Sequence, residues 1–101
     1  MKTLTDLPNI GKTLADKLNK IGIKNEQDLK QIGSENAILK ISAIEKSGVC
    51  INMLYALEGA IQGIRWHGLD NEKKDELKAF YRMFELSEKL SKEGINNFKK
   101  H

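Results

Sequence analysis

Leu7-Pro8-Asn9-Ile10-Gly11-Lys12-Thr13 is the stretch of this chain whose residue types come nearest to chemistry. Pro8 fixes its own backbone and stops any preceding turn, while Asn9 and Gly11 tolerate a left-handed conformation. Ile10, the one other apolar residue between Pro8 and Gly11, is expected to plug into the core. Gly11, Lys12 and Thr13 then open a helix, whose first N–H groups lack intrahelical partners and whose dipole favours negative charge. The chemistry of such an end is noncovalent: it holds an anion, a phosphate above all. Lys12, with Lys2 and Lys17, would add charge. The same residues also serve as a plain connection between helices, with Lys12, Lys17, Lys20 and Lys24 as a solvated face partly neutralised by Asp6 and Asp16. Both readings stay open at this point.

Arg65-Trp66-His67 is the second candidate. At the end of a helix a cation meets the negative pole of the dipole. Trp66 reads either as a lid on the core, its indole N–H bonded to backbone, or as part of a partner-binding patch with Arg65 and His67. Glu58, the one acid in the surrounding apolar segment, is expected to pair where it is buried, with Arg65 two turns on and a lysine or backbone donor of a neighbouring element as equal candidates. Cys50 lies in "GVCINML" and reads as a buried small hydrophobe; a single cysteine makes no intramolecular disulfide. His67, His101 and that cysteine do not form a metal site. No Ser/His/Asp or Cys/His spacing suits a nucleophile, and no nucleotide-binding phosphate loop is present. The expectation is a non-enzymatic protein without cofactor or metal.

Every periodic pattern that must position these residues is helical. After Gly11, Leu14, Leu18 and Ile21 recur at spacings of four and three, and Gly22 gives a stop. Asn25 reads as an N-cap with Asp28 three residues on, opening a short helix that carries Leu29 and Ile32 inward to Gly33. Ser34 reads as the cap of the next helix, with Ala37, Ile38, Ile41 and Ile44 apolar. "LNKIGI" and "LKQIGS" form a partial repeat, each placing Leu and then Ile-Gly after a short helix. Val49 to Trp66 is apolar nearly all round, the mark of a central helix, with Leu54, Leu57 and Ile61 fully buried and Gly68 as its end. Gly59 and Gly63 read as a notch where another backbone approaches. Asp70 caps a long final helix bearing two stripes, Leu77/Phe80/Phe84 and Met83/Leu86/Leu90. One small core uses the first stripe. The second is expected to meet a partner, most simply a second copy of the chain, or to be covered by Ile95 and Phe98 from a tail that folds back. Residues 94–101 read as a basic flexible tail behind a single domain, 1–93.

With 101 residues, 40% hydrophobic and 31% charged, the chain suits one soluble domain, and a net charge of +3 names no partner by itself. The N-terminus lacks the apolar core of a signal peptide. The longest apolar stretch, Val49 to Ile64, is short of a membrane span and holds Asn52, Glu58 and Gln62. A cytoplasmic protein without membrane partners is expected. The fold class is all-α, four to five helices in a helix-hairpin-helix (SAM-like) arrangement around the central helix.

Leu7-Pro8-x-Ile10-Gly11, then Ala15, Leu18 and Gly22-Ile23, resembles a helix-hairpin-helix element. That resemblance implies contact with DNA backbone through Asn9, Gly11, Lys12, Thr13 and Lys17, without base reading. Asn9 stands where DNA-binding hairpins usually carry a glycine, and its side chain could crowd a phosphate. "LPNIGKTLADKLNKIGI", "DLKQIGSENAILKI" and "GVCINMLYALEGAIQGIRWHGL", in that order, resemble the C-terminal domain of the TfoX/Sxy family of competence and DNA-transformation regulators. The resemblance runs from about Leu7 to Leu77. It implies a regulatory role in transcription of DNA-uptake genes and brings no catalytic residues. Fuller family members carry an α/β domain ahead of this one, which these residues do not contain. Two partner classes follow: DNA, bound weakly and without sequence preference, or a transcription or DNA-processing protein docked on Arg65, Trp66, His67, Met83, Leu86 and Leu90.

Overall fold

Five α-helices follow two kinds of local instruction, caps that start them and glycines that turn the chain between them. The computed structural model describes residues 3–45 and 48–100, with side chains to position 90. A 3₁₀ turn, Leu4–Asp6, leads through the Pro8–Gly11 hairpin into α1 (Lys12–Lys20), α2 (Glu26–Ile32), α3 (Ser34–Ile44) and α4 (Ile51–Gln62). A second 3₁₀ turn, Trp66–Gly68, precedes α5 (Asn71–Lys100). The fold is all-α; among the described residues the sole extended pairing is an isolated bridge between Thr3 and Asn25.

The two copies of the Ile-Gly repeat do the same job. Gly22 and Gly33 both sit at positive φ, 90° and 84°, and each sends the chain into a new direction. At the first, Ile23 N–H returns to Leu18 O (2.9 Å) and Gly22 N–H to Asn19 O (3.1 Å), closing α1 with buried Leu18 and Ile23 on the same side. Asn25 Oδ1 accepts from Asp28 N–H at 2.9 Å, and the Asp28 carboxylate accepts from Lys24 N–H at 3.0 Å. Asp70 Oδ1 accepts from Lys73 N–H at 2.7 Å and starts α5. Both caps are as the sequence indicates. Ser34 is not a cap: Gly33 occupies that position, and the buried Ser34 hydroxyl donates to Glu58 Oε1 at 2.8 Å.

α4 is central, packed by α2, α3, α5 and the second 3₁₀ turn. Leu54 and Leu57 are fully buried, with Leu18, Leu29, Ile38, Ile41 and Leu77 around the same core. Ile61 is only half-buried and Ile44 is exposed, two departures from the expected inward faces. The larger departure is the end of α4. Gly63, at φ 77°, terminates it well short of Trp66, and Ile64 N–H folds back to Gly59 O at 2.9 Å. Gly63 is therefore a stop and not a packing notch. Nor does Gly68 close the helix; it ends the separate 3₁₀ turn. With the helix over before Arg65, the relation expected between Arg65 and Glu58 disappears. Glu58 accepts instead from Ser34 and from Gln62 Nε2 (2.9 Å).

Leu77 and Tyr81 of α5 are buried, and Phe80 and Phe84 lie half-buried against the same core. Tyr81, one helical turn from Leu77, stands in the first stripe although the sequence reading passed it over. Met83, Leu86 and Leu90 are 66%, 47% and 62% exposed, so the second stripe is not core. The backbone of α5 is helical to Lys100, with no helix end marking the expected boundary at 94. Lys2, Ile95, Phe98 and His101, all named in the sequence reading, lie outside the residues whose side chains are described. No helix among the described residues is long and apolar enough to cross a membrane.

Candidate functional site

The hairpin and the Arg65–His67 segment, read separately in the sequence, are two walls of one open cleft of about 580 Å³. Asn9 joins them. Its backbone takes the left-handed conformation (φ 69°) that the turn requires. Its side chain then reaches across: Nδ2 donates to Ile64 O (2.9 Å) and Ala56 O (3.4 Å), and Oδ1 accepts from Trp66 N–H (3.1 Å). All of the amide's polar atoms are thus engaged within the protein, and the side chain is held on α4 and the 64–66 segment. The bond at Trp66 is to its backbone N–H, where an indole N–H bond was expected. Gly59 makes room for the crossing. A Cβ there would stand 2.5 Å from Asn9 Nδ2, 2.9 Å from Ile64 O and 3.1 Å from Trp66 Cα. The close approach expected at Gly59 is real, and the approaching backbone is the chain's own return after Gly63.

Two helices begin at this cleft. Ala15 N–H is the first to bond within α1, to Gly11 O at 3.0 Å, leaving the N–H groups of Lys12, Thr13 and Leu14 without intrahelical partners. Gly11, Lys12, Thr13 and Leu14 all line the opening. So do Cys50, Asn52 and Met53, from the start of α4, whose first intrahelical acceptor is Cys50 O. Cys50 is exposed at this N-cap position, not buried as its apolar neighbours suggest. Arg65, Trp66 and His67 complete the wall, with Ala56 beneath. Among the described residues no Asp or Glu lines the cleft, while Lys12, Arg65 and His67 do. Two positive helix poles and these basic side chains therefore face one opening. Asp6, a candidate neutraliser, instead accepts from Thr3 N–H (3.1 Å) and Thr3 Oγ1 (2.9 Å).

Trp66 also anchors a stack of rings. Its ring lies 5.7 Å from that of Tyr55, nearly parallel at 14°, and 3.9 Å from the His67 imidazole at 27°. Tyr55 is buried, Trp66 half-buried and His67 exposed, so the stack runs outward from the core.

Lys17 does not belong to the cleft. It and Lys20 both bind the Glu45 carboxylate at the end of α3, Lys20 at 2.9 Å. Hydrogen bonds from Lys17 and then Lys20 hold that carboxyl at about 2. The pair thus ties α1 to α3 and engages two of the four lysines that the hairpin reading gathered. Met83, Leu86 and Leu90 also lie outside the cleft, on α5. A smaller cleft of about 250 Å³ has the opposite character: Glu35, Glu58 and Glu76 surround Lys73 there, and burial, then Glu76, push the Glu35 carboxyl up.

Sequence reasoning missed Cys50, Asn52 and Met53 as lining residues because the start of α4 sits far from the hairpin in the chain.

The comparisons with known proteins bear on both the fold and the site. Over 100 residues the chain is 29% identical to the DNA transformation protein TfoX of Haemophilus influenzae, covering 99% of this chain and 43% of that protein. The chain thus spans less than half the length of that relative. Two crystal structures from Listeria monocytogenes share the fold. One, of an uncharacterized protein in a triclinic form, superposes with a TM-score of 0.79 at 55% identity, covering 82% of this chain and 93% of that one. The other, of a protein of unknown function in a tetragonal form, gives 0.75 at 56% identity, covering 79% and 98%. Residues 1–81, which contain every residue of the cleft and stop short of the exposed α5 stripe, match the TfoX C-terminal domain. The chain belongs to the TfoX C-terminal domain family and is related to a protein of DNA transformation.

Proposed function

We propose that this is a non-enzymatic regulatory domain of DNA transformation that contacts nucleic-acid backbone, weakly and without sequence preference, through the cleft between the hairpin and Arg65–His67. The observation that carries the reading is the cleft's lining: two helix N-termini, Lys12, Arg65 and the His67 ring around one opening that no carboxylate among the described residues lines. Phosphate is the anion such a set suits, since N–H groups and cations contact it without reading bases. Relatedness to a DNA transformation protein supports the same reading. Asn9, turned into the protein by its own bonds, leaves the helix-opening amides accessible even though it replaces a hairpin glycine. Regulation of competence genes and a cytoplasmic setting belong to this proposal.

The test is binding of labelled duplex and single strands across salt. Two or three phosphate contacts should give a log–log salt slope of only about −2 to −3. Lys12→Glu with Arg65→Glu should abolish binding while leaving the melting temperature near that of the parent, because both side chains are exposed. Undetectable binding at low salt to every strand would remove this reading.

A protein-docking reading is favoured by a different observation, the exposed Met83/Leu86/Leu90 stripe on the part of α5 beyond the family match. A second copy of the chain is its simplest occupant. In sedimentation equilibrium the intact chain should then show a monomer–dimer equilibrium and Met83→Glu/Leu86→Glu a monomer of unchanged melting temperature. A monomer at all concentrations would count against it.

A further inference from the structure

We infer that the cleft prefers single-stranded DNA, with an unpaired base continuing the Tyr55–Trp66–His67 stack while its phosphates meet Lys12 and Arg65. This rests on the phosphate reading of the same cleft and adds what that reading lacks, a reason for one form of nucleic acid to bind better than another. The stack supplies it. Its inner ring, Tyr55, is buried in the core, and its outer ring, His67, is exposed and lines the cleft. Ring centroids 5.7 Å and 3.9 Å apart, inclined at 14° and 27°, already set Tyr55 beside Trp66 and Trp66 beside the exposed His67.

The stack is held from behind as well as from within. Asn9 Oδ1 fixes the backbone of Trp66, and Gly59 lets that backbone lie directly on α4. A base that stacks here meets rings that are positioned before it arrives. Stacking on aromatic side chains is tolerant of base identity because every base has a π-face, which suits a site without base-edge readers. In a duplex those faces are covered by neighbouring base pairs. Only an unpaired strand presents a face to His67 and a phosphate to the helix N-termini together.

The single tryptophan of the sequence, Trp66, reports the event directly. The intact chain is titrated at low salt with a short thymidine strand, an abasic deoxyribose-phosphate strand of equal length, and a duplex, with Trp66 emission and competition binding followed together. The thymidine strand should bind at least about fivefold tighter than the abasic strand and alone quench Trp66. His67→Ala should bring that ratio toward one, and His67→Phe, which keeps a ring, should retain it. Lys12→Glu should weaken both strands and leave the ratio in place. Equal affinity for the thymidine and abasic strands would overturn the inference and leave phosphate contact standing. A ratio unchanged in His67→Ala would overturn it too, by removing the stack from the explanation. Binding of no strand at all would remove the phosphate reading and this inference with it.

Discussion

Leu57→Ala should lower stability by about 2–5 kcal/mol, the largest effect expected from any single truncation here. Leu57 has no solvent exposure and sits on α4, against which α2, α3 and α5 pack. Its removal leaves a cavity that α2, α3 and α5 would all have to move to fill. A domain of this size has about 5–15 kcal/mol in total, so the variant approaches the edge of folding. Thermal or urea denaturation measures it, and with about 4–8 °C per kcal/mol the midpoint should fall by at least about 8 °C. Leu86→Ala on the exposed stripe is the control and should change stability by less than about 0.5 kcal/mol in the monomer. A near-parental midpoint for Leu57→Ala would show that α4 is not the centre of the fold.

Gly59→Ala should destabilise even though alanine is the better helix former by about 1 kcal/mol. Propensity is local, and the obstacle is not. Of the three atoms a new methyl would meet, two belong to backbone, Ile64 O and Trp66 Cα, and cannot swing away. Overpacking of this kind costs about 1–3 kcal/mol. The third atom, Asn9 Nδ2, would have to leave its carbonyl partners, so the hairpin loses its tie to the 64–66 segment. The net expectation is a loss of about 1–3 kcal/mol in denaturation, accompanied by a shift in Trp66 emission as its backbone is displaced. A variant more stable than the parent would mean that the segment after Gly63 yields freely and that the cleft's far wall is not fixed by Gly59.

What the residues announced in advance, they announced locally. Asn25 and Asp70 cap helices because a short acceptor side chain three residues ahead of a free N–H is a self-contained instruction. Gly22 and Gly33 likewise turn the chain at positive φ wherever they stand. The central helix was legible as an apolar segment, but its end was not. Ile64, placed just after the terminating glycine, folds back toward the helix and so continues the apolar period past the true stop. With the stop at Gly63, Arg65 leaves the helix, and of the partners open to Glu58 it is Ser34 and Gln62 that donate to it. The site was legible only as fragments. Asn9 unites them through bonds to residues 47 to 57 positions away, and no spacing rule connects an asparagine in a turn with carbonyls that distant. Cys50 was misjudged for a related reason. Its neighbours in sequence are apolar, whereas its position at the start of α4 faces the opening.

The length of α5 has a consequence for how the molecule moves through solvent. Thirty helical residues extend about 45 Å, well beyond what the other helices need for cover. The principal extents are 54 × 30 × 20 Å and the radius of gyration is 15.0 Å, against about 13 Å for an equally long chain folded into a sphere-like shape. Such a rod-bearing body diffuses and tumbles more slowly than its mass implies. On a sizing column calibrated with rounder proteins even its monomer should elute ahead of 11.4 kDa. Elution volume therefore does not distinguish association through the α5 stripe from the reach of the helix itself, and only a mass measured free of shape separates the two.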